Sequence, residues 1–116
     1  MRQIHRGDVF MISTPPYHWS NILNGTRPWV VIQNEVGNKH SGTTILVPCS
    51  TSPRKHILPT QVCTSWRSMR PSIIHCEHIV TMDVSEDWKY MTTLPPHIMN
   101  QIDKAVMNAL FWKEKV

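Results

Sequence analysis

The sequence predicts a mainly β fold, a small antiparallel barrel or strongly curved sheet that is followed by a C-terminal helix. Short runs rich in β-branched and aromatic residues dominate the first two thirds of the chain, and turn-forming residues bound each run. They recur about every ten to fifteen residues without helical periodicity between them, which is typical of small all-β domains. The five runs are Asp8–Ser13, Trp29–Gln33, Thr43–Pro48, Leu58–Cys63 and Ser72–Thr81.

The pattern changes in the last third of the chain. Residues 84–88 indicate one helical turn, and Lys89–Thr93 indicates a short edge strand. Pro95 and Pro96 then suit the first turn of a helix that runs to the C-terminus. We expect that helix to pack one stripe against the sheet, made of Ile98, Ile102, Ala105, Val106, Ala109, Leu110 and Lys113.

Three large side chains lie beside this stripe. Met99, Met107 and Trp112 are expected to fill gaps in the packing, because methionine adapts well to irregular spaces.

The length and composition limit the classes of protein to consider. With 116 residues and 41% hydrophobic residues, the chain has the size and composition of a single globular domain, residues 1–116. No apolar run approaches the roughly 18 residues that a membrane helix needs, and the N-terminal residues lack the apolar segment of a secretory signal. We therefore expect a cytoplasmic protein that does not associate with membranes.

The cysteines Cys49, Cys63 and Cys76 are odd in number and widely spaced. This arrangement argues against a disulfide framework and against a zinc site built from cysteine pairs. We expect free, mostly buried thiols, and no metal ion or other cofactor.

The charge is unevenly distributed along the chain. The formal net charge is +4, from 12 basic and 8 acidic residues, and no carboxylate lies between Glu35 and Glu77. A region without acidic residues attracts anions, so nucleic acid is the natural partner if the bias is functional. The alternative is an ordinary solvated basic surface. The basic residues of this interval are Lys39, His40, Arg54, Lys55, His56, Arg67, Arg70 and His75.

The segment Gly25-Thr26-Arg27-Pro28 places one arginine at the entrance of a buried strand. Pro28 biases Arg27 toward extended dihedral angles, so the guanidinium is held at a rigid edge. A guanidinium can bind two phosphate oxygens at once and can stabilise the extra charge of a pentacovalent phosphorane. The alternative is a surface ion pair with little effect on stability.

Hydroxyl groups follow the third predicted strand directly, at Ser50 and Thr51. The cations Arg54, Lys55 and His56 come next, and hydroxyls beside cations can hold a phosphodiester. A serine-rich turn whose side chains bind the local backbone explains the same residues.

Strand alternation pairs a histidine with a carboxylate late in the chain. It places His75 and Glu77 on one face, and Ile74, Cys76 and His78 on the other, core-like face. His75 and Glu77 would stand about 6 to 7 Å apart, a distance at which they can act as acid and base on one substrate. A metal site is the competing use, but the alternation separates His78 from the other two.

These groups are sufficient for the cleavage of RNA without a metal ion, since the ribose 2′-hydroxyl can attack the adjacent phosphate. The long connection over residues 14–24, which contains Tyr17, His18 and Trp19, is a further functional candidate. The catalytic candidates are Arg27, Ser50, Thr51, His75 and Glu77. The RNA-binding candidates are Thr26, Lys39, Arg54, Lys55, His56 and Trp19.

The chain resembles the MazF/PemK family of toxin endoribonucleases over nearly its whole length. Residues of the same type occur in the same order and with the same spacing. The matching segments are Arg6-Gly7-Asp8-Val9-Phe10, Gly25-Thr26-Arg27-Pro28, Val30-Val31-Ile32-Gln33-Asn34, Gly37-Asn38, Thr43-Thr44-Ile45, Leu58-Pro59-Thr60, Cys76-Glu77-His78-Ile79, Thr81-Met82-Asp83 and Ile102-Asp103-Lys104-Ala105.

The resemblance implies a Src-homology-like barrel of the CcdB/PemK type that forms a homodimer. It also implies sequence-selective cleavage of single-stranded RNA, usually mRNA, that leaves a 2′,3′-cyclic phosphate and a 5′-hydroxyl and inhibits growth. The implied protein partner is a cognate antitoxin, and DNA is reached only through the complex with that antitoxin. By motif, Arg27 falls on the catalytic arginine of the family, Ser50 on a catalytic threonine position and Glu77 on an acidic position that some members use. Thr51 would share the role of Ser50.

Three features depart from the pattern of the family. Val80 replaces an arginine of many relatives, His75 replaces an active-site arginine of certain relatives, and residues 21–24 differ from the usual loop. A non-catalytic member of the same fold, which binds RNA, gyrase or another protein, is therefore the alternative function. Growth arrest with intact RNA would favour that alternative.

Overall fold

Seven strands and two helices form the described part of the chain, which in this computed structural model comprises residues 3–15, 24–51 and 57–111. The mainly β fold with a C-terminal helix is therefore confirmed. The strands are β1 (Asp8–Thr14), β2 (Gly25–Val31), β3 (Thr43–Ser50), β4 (Gln61–Thr64), β5 (Ser72–His75), β6 (Val80–Asp83) and β7 (Lys89–Thr93). The helices are α1 (Glu35–His40) and α2 (Pro96–Phe111).

The strands form one antiparallel sheet in which β3 has three partners. The order is β4-β5-β3-β2-β1-β7, and β6 also pairs with β3. One edge of β3 pairs with β2, while the other edge is divided between β6, along Thr43–Leu46, and β5, along Cys49–Ser50. Pro48, which has no N–H to donate, lies where one of these two partners has ended and the other begins.

Both faces of the sheet are buried near its centre, which explains the continuous apolar runs of the sequence. Val30 and Val47 face one cluster, and their neighbours Val31 and Leu46 face the other. The first cluster joins the sheet to α2 through Leu94, Ile98, Met99, Ile102 and Ala105. The second consists of Ile4, Phe10, Ile12, Trp29, Val31, Leu46 and Trp88.

Two strands begin at residues other than those that the sequence predicts. Strand β2 begins at Gly25, so Arg27 lies inside the strand and pairs with Ile12 instead of preceding it. The reason is the length of β1, which continues to Thr14 and extends the ladder. Strand β4 begins only at Gln61, because its N–H donates to Leu58 O (2.9 Å) and closes a turn there.

The single strand predicted over Ser72–Thr81 is wrong, since two strands replace it. Strand β5 ends at His75, a turn follows in which His78 N–H donates to His75 O (3.1 Å), and β6 begins at Val80. Both strands pair with the same edge of β3 at different positions, and the turn displaces the chain from one position to the other.

The segment that leads into β7 forms a turn closed by Trp88 N–H and Ser85 O (3.3 Å), not a regular helical turn. The edge strand over Lys89–Thr93 is confirmed, and it pairs with β1. The short helix α1 follows β2, and its N-cap Asn34 accepts a hydrogen bond from Gly37 N–H (2.9 Å).

Helix α2 buries the first part of the predicted stripe. Its buried residues are Ile98, Met99, Ile102 and Ala105, and Val106 packs partly against them. Leu110 and Met107 are exposed, so the packing predicted for these two is wrong. The buried residues of the helix end at Ala105, so its last turns extend beyond the first core cluster. Trp112 and Lys113 lie outside the described residues.

All three cysteines are free, as expected, and two of them are buried. Cys49 and Cys76 lie in the core, whereas Cys63 is exposed. Burial raises the pKa of Cys76 to about 12 and also raises that of Cys49, so both buried thiols are unreactive at neutral pH. Within residues 3–15, 24–51 and 57–111, neither helix has the length and hydropathy to span a membrane.

The Arg6-Gly7-Asp8 segment joins three parts of the fold. The Arg6 guanidinium donates to Ile32 O (2.6 Å) and to Asp103 of α2 (2.5 Å). Gly7 N–H donates to Val31 O (2.8 Å), and Gly7 O accepts from Leu94 N–H (2.9 Å). Gly7 adopts φ +93°, and a Cβ there would lie 3.2 Å from Leu94 O. This position therefore favours glycine for its backbone conformation and for the close approach.

We expect Gly7→Ala to lower the free energy of unfolding by about 1–2 kcal/mol, the cost of a left-handed conformation for an L-residue. Gly42→Ala is the matched control, since Gly42 has no positive φ and no atom within 4 Å of its Cβ position. Urea unfolding of both variants measures the difference. Equal stability of the two variants would contradict the role assigned to Gly7.

Candidate active site

Strand β2 fixes the position of Arg27. The backbone pairs with Ile12 of β1, and Pro28 follows with Met11 as its partner. The Arg27 side chain is partly buried, and its Nε and one terminal nitrogen donate to Asn24 O at 3.2 and 2.7 Å. A guanidinium held in this way requires little reordering when it binds an anion.

The register between β2 and β3 brings Arg27 and Ser50 together. Trp29 pairs with Pro48, and the same register continued by two residues places Arg27 opposite Ser50. Both residues line a pocket of about 570 Å³, together with Thr26 and Thr51. The structure therefore brings together four residues that the sequence predicts for the site.

The pocket is cationic and rich in hydroxyls. Among the described residues that line it, the charged ones are Arg27 and Arg70, and none is a carboxylate. Its hydroxyl-bearing residues are Thr26, Ser50, Thr51, Ser68 and Ser72. Two cations and several hydrogen-bond donors around a concave surface favour an anionic ligand with many oxygen atoms, such as a phosphodiester.

His75 lies directly behind Ser50. Its Nε2 is 2.8 Å from Ser50 Oγ, and the residue is only 2% exposed. The contact of His75 with Glu77 agrees with the shared face that alternation predicts, whereas the burial of His75 differs from a face opposite the core. Alternation predicts one exposed face, but all four residues of β5 are buried, because both faces of this strand are covered. His75 can reach a ligand in the pocket only through Ser50.

Gln61 and Glu77 surround the other nitrogen of His75. Gln61 Nε2 lies 3.3 Å from His75 Nδ1 and donates to Glu77 Oε1 at 3.1 Å. Glu77 Oε1 itself lies 3.4 Å from His75 Nδ1. The four side chains form a continuous polar chain from the pocket inward: Ser50, His75, Gln61 and Glu77.

Strand alternation predicts that His78 lies on the face opposite Glu77. In the structure His78 lies on the same side as Glu77. Its Nε2 is 3.8 Å from Glu77 Oε1, and its ring centroid is 6.1 Å from that of His75. The turn after β5 changes the direction of the chain, so alternation no longer applies at this position.

The surroundings of Glu77 favour its charged form. Burial by itself raises the pKa of Glu77, but hydrogen bonds from Gln61, from backbone and from Thr60, together with the charge of His75, lower it below the usual value. Glu77 is therefore ionised at neutral pH. A carboxylate with a lowered pKa is a weak base, and this one is better suited to orient His75 and to stabilise its charged form.

The remaining candidates lie elsewhere or outside the described residues. Lys39 is exposed on α1, which packs near Thr43, and an eight-residue strand such as β3 spans roughly 23 Å from there to Ser50. Lys39 is therefore not part of the pocket. Trp19, Arg54, Lys55 and His56 lie outside the described residues. Within the described part, no three His, Cys, Asp or Glu side chains are grouped as metal ligands are.

Sequence reasoning missed Gln61 and Arg70 as site residues. Gln61 begins a strand like any polar residue, and nothing in its neighbours along the chain indicates that it will lie beside His75. Arg70 belongs to the acid-free interval, and Pro71 follows it as Pro28 follows Arg27. That repeated Arg-Pro pair was the available signal.

Comparisons with known proteins agree with this geometry. The family described as the PemK-like, MazF-like toxin of type II toxin-antitoxin systems matches residues 5–110. The Bacillus subtilis (strain 168) protein Endoribonuclease EndoA is 33% identical over 110 residues, which cover 92% of this chain and 94% of that protein.

Solved structures show the same fold. A mycobacterial endoribonuclease has a TM-score of 0.76 and 24% identity, with 95% of this chain and 93% of that chain covered. A mycobacterial endoribonuclease in complex with its cognate antitoxin has a TM-score of 0.76 and 23% identity, with coverage of 97% and 99%. MazF from Deinococcus radiodurans has a TM-score of 0.78 and 14% identity, with coverage of 95% and 98%. This chain thus belongs to the PemK-like, MazF-like toxin family of type II toxin-antitoxin systems.

Proposed function

We propose that this toxin is an endoribonuclease that cleaves single-stranded RNA, usually mRNA, at selected sequences without a metal ion. The observation that carries the proposal is the pocket in which Arg27, Ser50 and Thr51 meet, with Ser50 hydrogen-bonded to the buried His75. The similarity to Endoribonuclease EndoA over 94% of that protein supports the same activity.

RNA brings its own nucleophile to such a site. The 2′-oxygen forms a bond to the adjacent phosphorus, the bond from phosphorus to the 5′-oxygen breaks, and the products carry a 2′,3′-cyclic phosphate and a 5′-hydroxyl. The protein must accept the proton of the 2′-hydroxyl and stabilise the charge of the phosphorane. Neither task requires a metal ion.

Ser50 and His75 act together as the proton acceptor in this proposal. In the tautomer that carries its proton on Nδ1, His75 Nε2 accepts the proton of Ser50 Oγ, while Ser50 Oγ accepts that of the 2′-hydroxyl. The Nδ1–H then faces Glu77 Oε1, whose negative charge stabilises the protonated ring. His75 and Glu77 are thus positioning residues that act through Ser50.

Arg27 and Thr51 bind the phosphate itself. The Arg27 guanidinium neutralises the charge that develops on the non-bridging oxygens, and the Thr51 hydroxyl donates to one of them. The leaving 5′-oxygen takes its proton from solvent water. Thr26, at the rim of the same pocket, is proposed to contact the neighbouring nucleotide.

The partners in the cell follow from the family and from the charge. We propose that a cognate antitoxin binds this chain, as one binds the mycobacterial endoribonuclease of similar fold. An acidic, disordered segment of the antitoxin would complement the cationic pocket. We further propose a homodimer in the cytoplasm, which contacts DNA only through the complex with its antitoxin.

We expect Arg27→Ala to lower kcat/KM by about 10²–10³, the effect of removing one donor that stabilises a transition-state oxyanion. The measurement is cleavage of a long single-stranded RNA in excess chelator. Lys39→Ala is the matched control, since it removes the same charge at the other end of β3. If Arg27→Ala cleaves at the native rate, the proposed mechanism is wrong, and growth arrest with intact RNA would favour a non-catalytic toxin.

We expect Ser50→Ala to lower kcat/KM by about 10²–10⁴, the usual contribution of a positioned proton acceptor. Ser50→Thr keeps a hydroxyl at the same place and should retain activity within about tenfold of the native protein. Steady-state cleavage of one RNA by both variants provides the test. Similar rates for the two variants would exclude a role of the hydroxyl in proton transfer.

We expect Glu77→Gln to move the acid limb of the pH profile of kcat/KM to lower pH. Without the carboxylate, the charged form of the His75 ring loses its stabilising partner, so the ring stays neutral at lower pH. Glu86→Gln, which removes an exposed carboxylate outside the pocket, is the control. An unchanged acid limb in Glu77→Gln would show that His75 is not the group that titrates.

A further inference from the structure

A second arginine reaches the pocket from the connection between β4 and β5. This connection, residues 65–71, is held at two points: Trp66 Nε1 donates to Thr93 O (3.1 Å), and Met69 is 4% exposed in the core. Met69 N–H also donates to Trp66 O (2.9 Å) and closes a turn. Arg70 follows the buried Met69 directly, so its backbone is anchored.

Two more features fix the backbone of Arg70. Its carbonyl accepts a hydrogen bond from Ser72 Oγ (2.7 Å). Pro71 follows it and restricts it to extended dihedral angles, as Pro28 does for Arg27. Both arginines of the pocket are therefore presented from a proline-restricted backbone.

The two arginines of the 65–71 connection differ in what their side chains do. Arg67 has φ 46°, an uncommon conformation for a residue other than glycine, and its Cζ lies 4.9 Å from the centre of the Trp66 ring. The Arg67 side chain thus packs against the Trp66 ring within the turn. Arg70 is exposed and lines the pocket with Arg27 and Ser50, and no carboxylate of the described residues forms an ion pair with it.

The charge of the reaction explains why two arginines are useful in one pocket. A phosphodiester carries one negative charge in the ground state, whereas the phosphorane formed by 2′-oxygen attack carries two. A second guanidinium therefore gains more from the transition state than from the bound substrate. Interactions that strengthen in this way accelerate the chemical step itself.

We propose that Arg70 is a second catalytic arginine, which binds the same phosphodiester as Arg27 and neutralises the second charge of the phosphorane. This inference rests on the proposed function. Relatives carry arginines at the positions of His75 and Val80, and the inference assigns a corresponding cationic role to Arg70. Those two residues are unavailable for it, since His75 is buried and Val80 packs against the core cluster of Trp29 and Leu46.

The test compares Arg70→Ala with Arg67→Asn. Both variants remove one positive charge from the same connection, and asparagine tolerates the positive φ of position 67. The substrate is an RNA oligonucleotide with one cleavage site, and its uncleavable analogue has a 2′-deoxyribose at that site. We expect Arg70→Ala to lower the rate constant of the chemical step by about 10²-fold or more and the affinity for the analogue by about tenfold or less. Arg67→Asn should change both by less than about threefold.

Three results would overturn the inference. One is an equal loss of rate and affinity in Arg70→Ala, which indicates ground-state binding alone. Another is an equal effect of Arg67→Asn, which indicates a general charge effect or a change in the turn. The third is a loss that disappears when the flanking phosphates are replaced by neutral methylphosphonates, which places Arg70 at a neighbouring phosphate.

The same experiment separates this inference from the proposed function. If the native chain cleaves the RNA and Arg27→Ala does not, but Arg70→Ala is as active as the native chain, only the inference fails. If the native chain cleaves no RNA, the proposed function fails and the role of Arg70 with it. Arg70→Lys, which keeps the charge but loses the two-pronged geometry, should recover part of the rate if Arg70→Ala is correctly folded.

Discussion

The pairing of β3 on both of its edges is the constraint on which the rest of the structure depends. Its Leu46 and Val47 are buried on opposite faces of the sheet, so a slip of one residue would exchange the two core clusters. The register with β2 is therefore firmly set, and it carries Arg27 to the level of Ser50. The register with β5 pairs Ser50 with Ile73 and so places His75 close by. Hydrophobic packing at the middle of β3 thus determines which polar side chains meet at its C-terminal end.

The interior position of His75 gives the site its character. A buried imidazole requires hydrogen-bonding partners, and Ser50 at 2.8 Å and Glu77 at 3.4 Å supply them, while Gln61 donates to the same Glu77 oxygen at 3.1 Å. The same contacts that satisfy the ring also orient it toward the pocket. The charges are separated as well, since the described residues that line the pocket include two arginines and no carboxylate, whereas Glu77 lies behind His75. A phosphate that enters would meet cations first and would be separated from the anionic group.

Much of the fold was predictable from local patterns, and the site was predictable only in part. The runs that begin at Asp8 and Thr43 and the helix after Pro95 carry strong local signals, and the structure confirms them. The division of the Ser72–Thr81 run was not predictable, because it depends on how β5 and β6 share one edge of β3. Arg27 and Ser50 were identified by chemistry next to strand ends. Gln61 and Arg70 join the site through tertiary packing, to which local sequence gives little access.

The attachment of the β4–β5 hairpin to the rest of the sheet has a consequence for how such a site can diversify. The hairpin carries Gln61, Arg70 and His75, yet it pairs with β3 at only two positions, Cys49 with Ile74 and Ser50 with Ile73. Substitutions within it can alter the proton-accepting group and the second cation while Arg27 and the central strands stay as they are. Because Val62, Met69 and Ile74 hold the hairpin in the first core cluster, its polar positions can vary and give one fold different catalytic chemistry around a constant arginine.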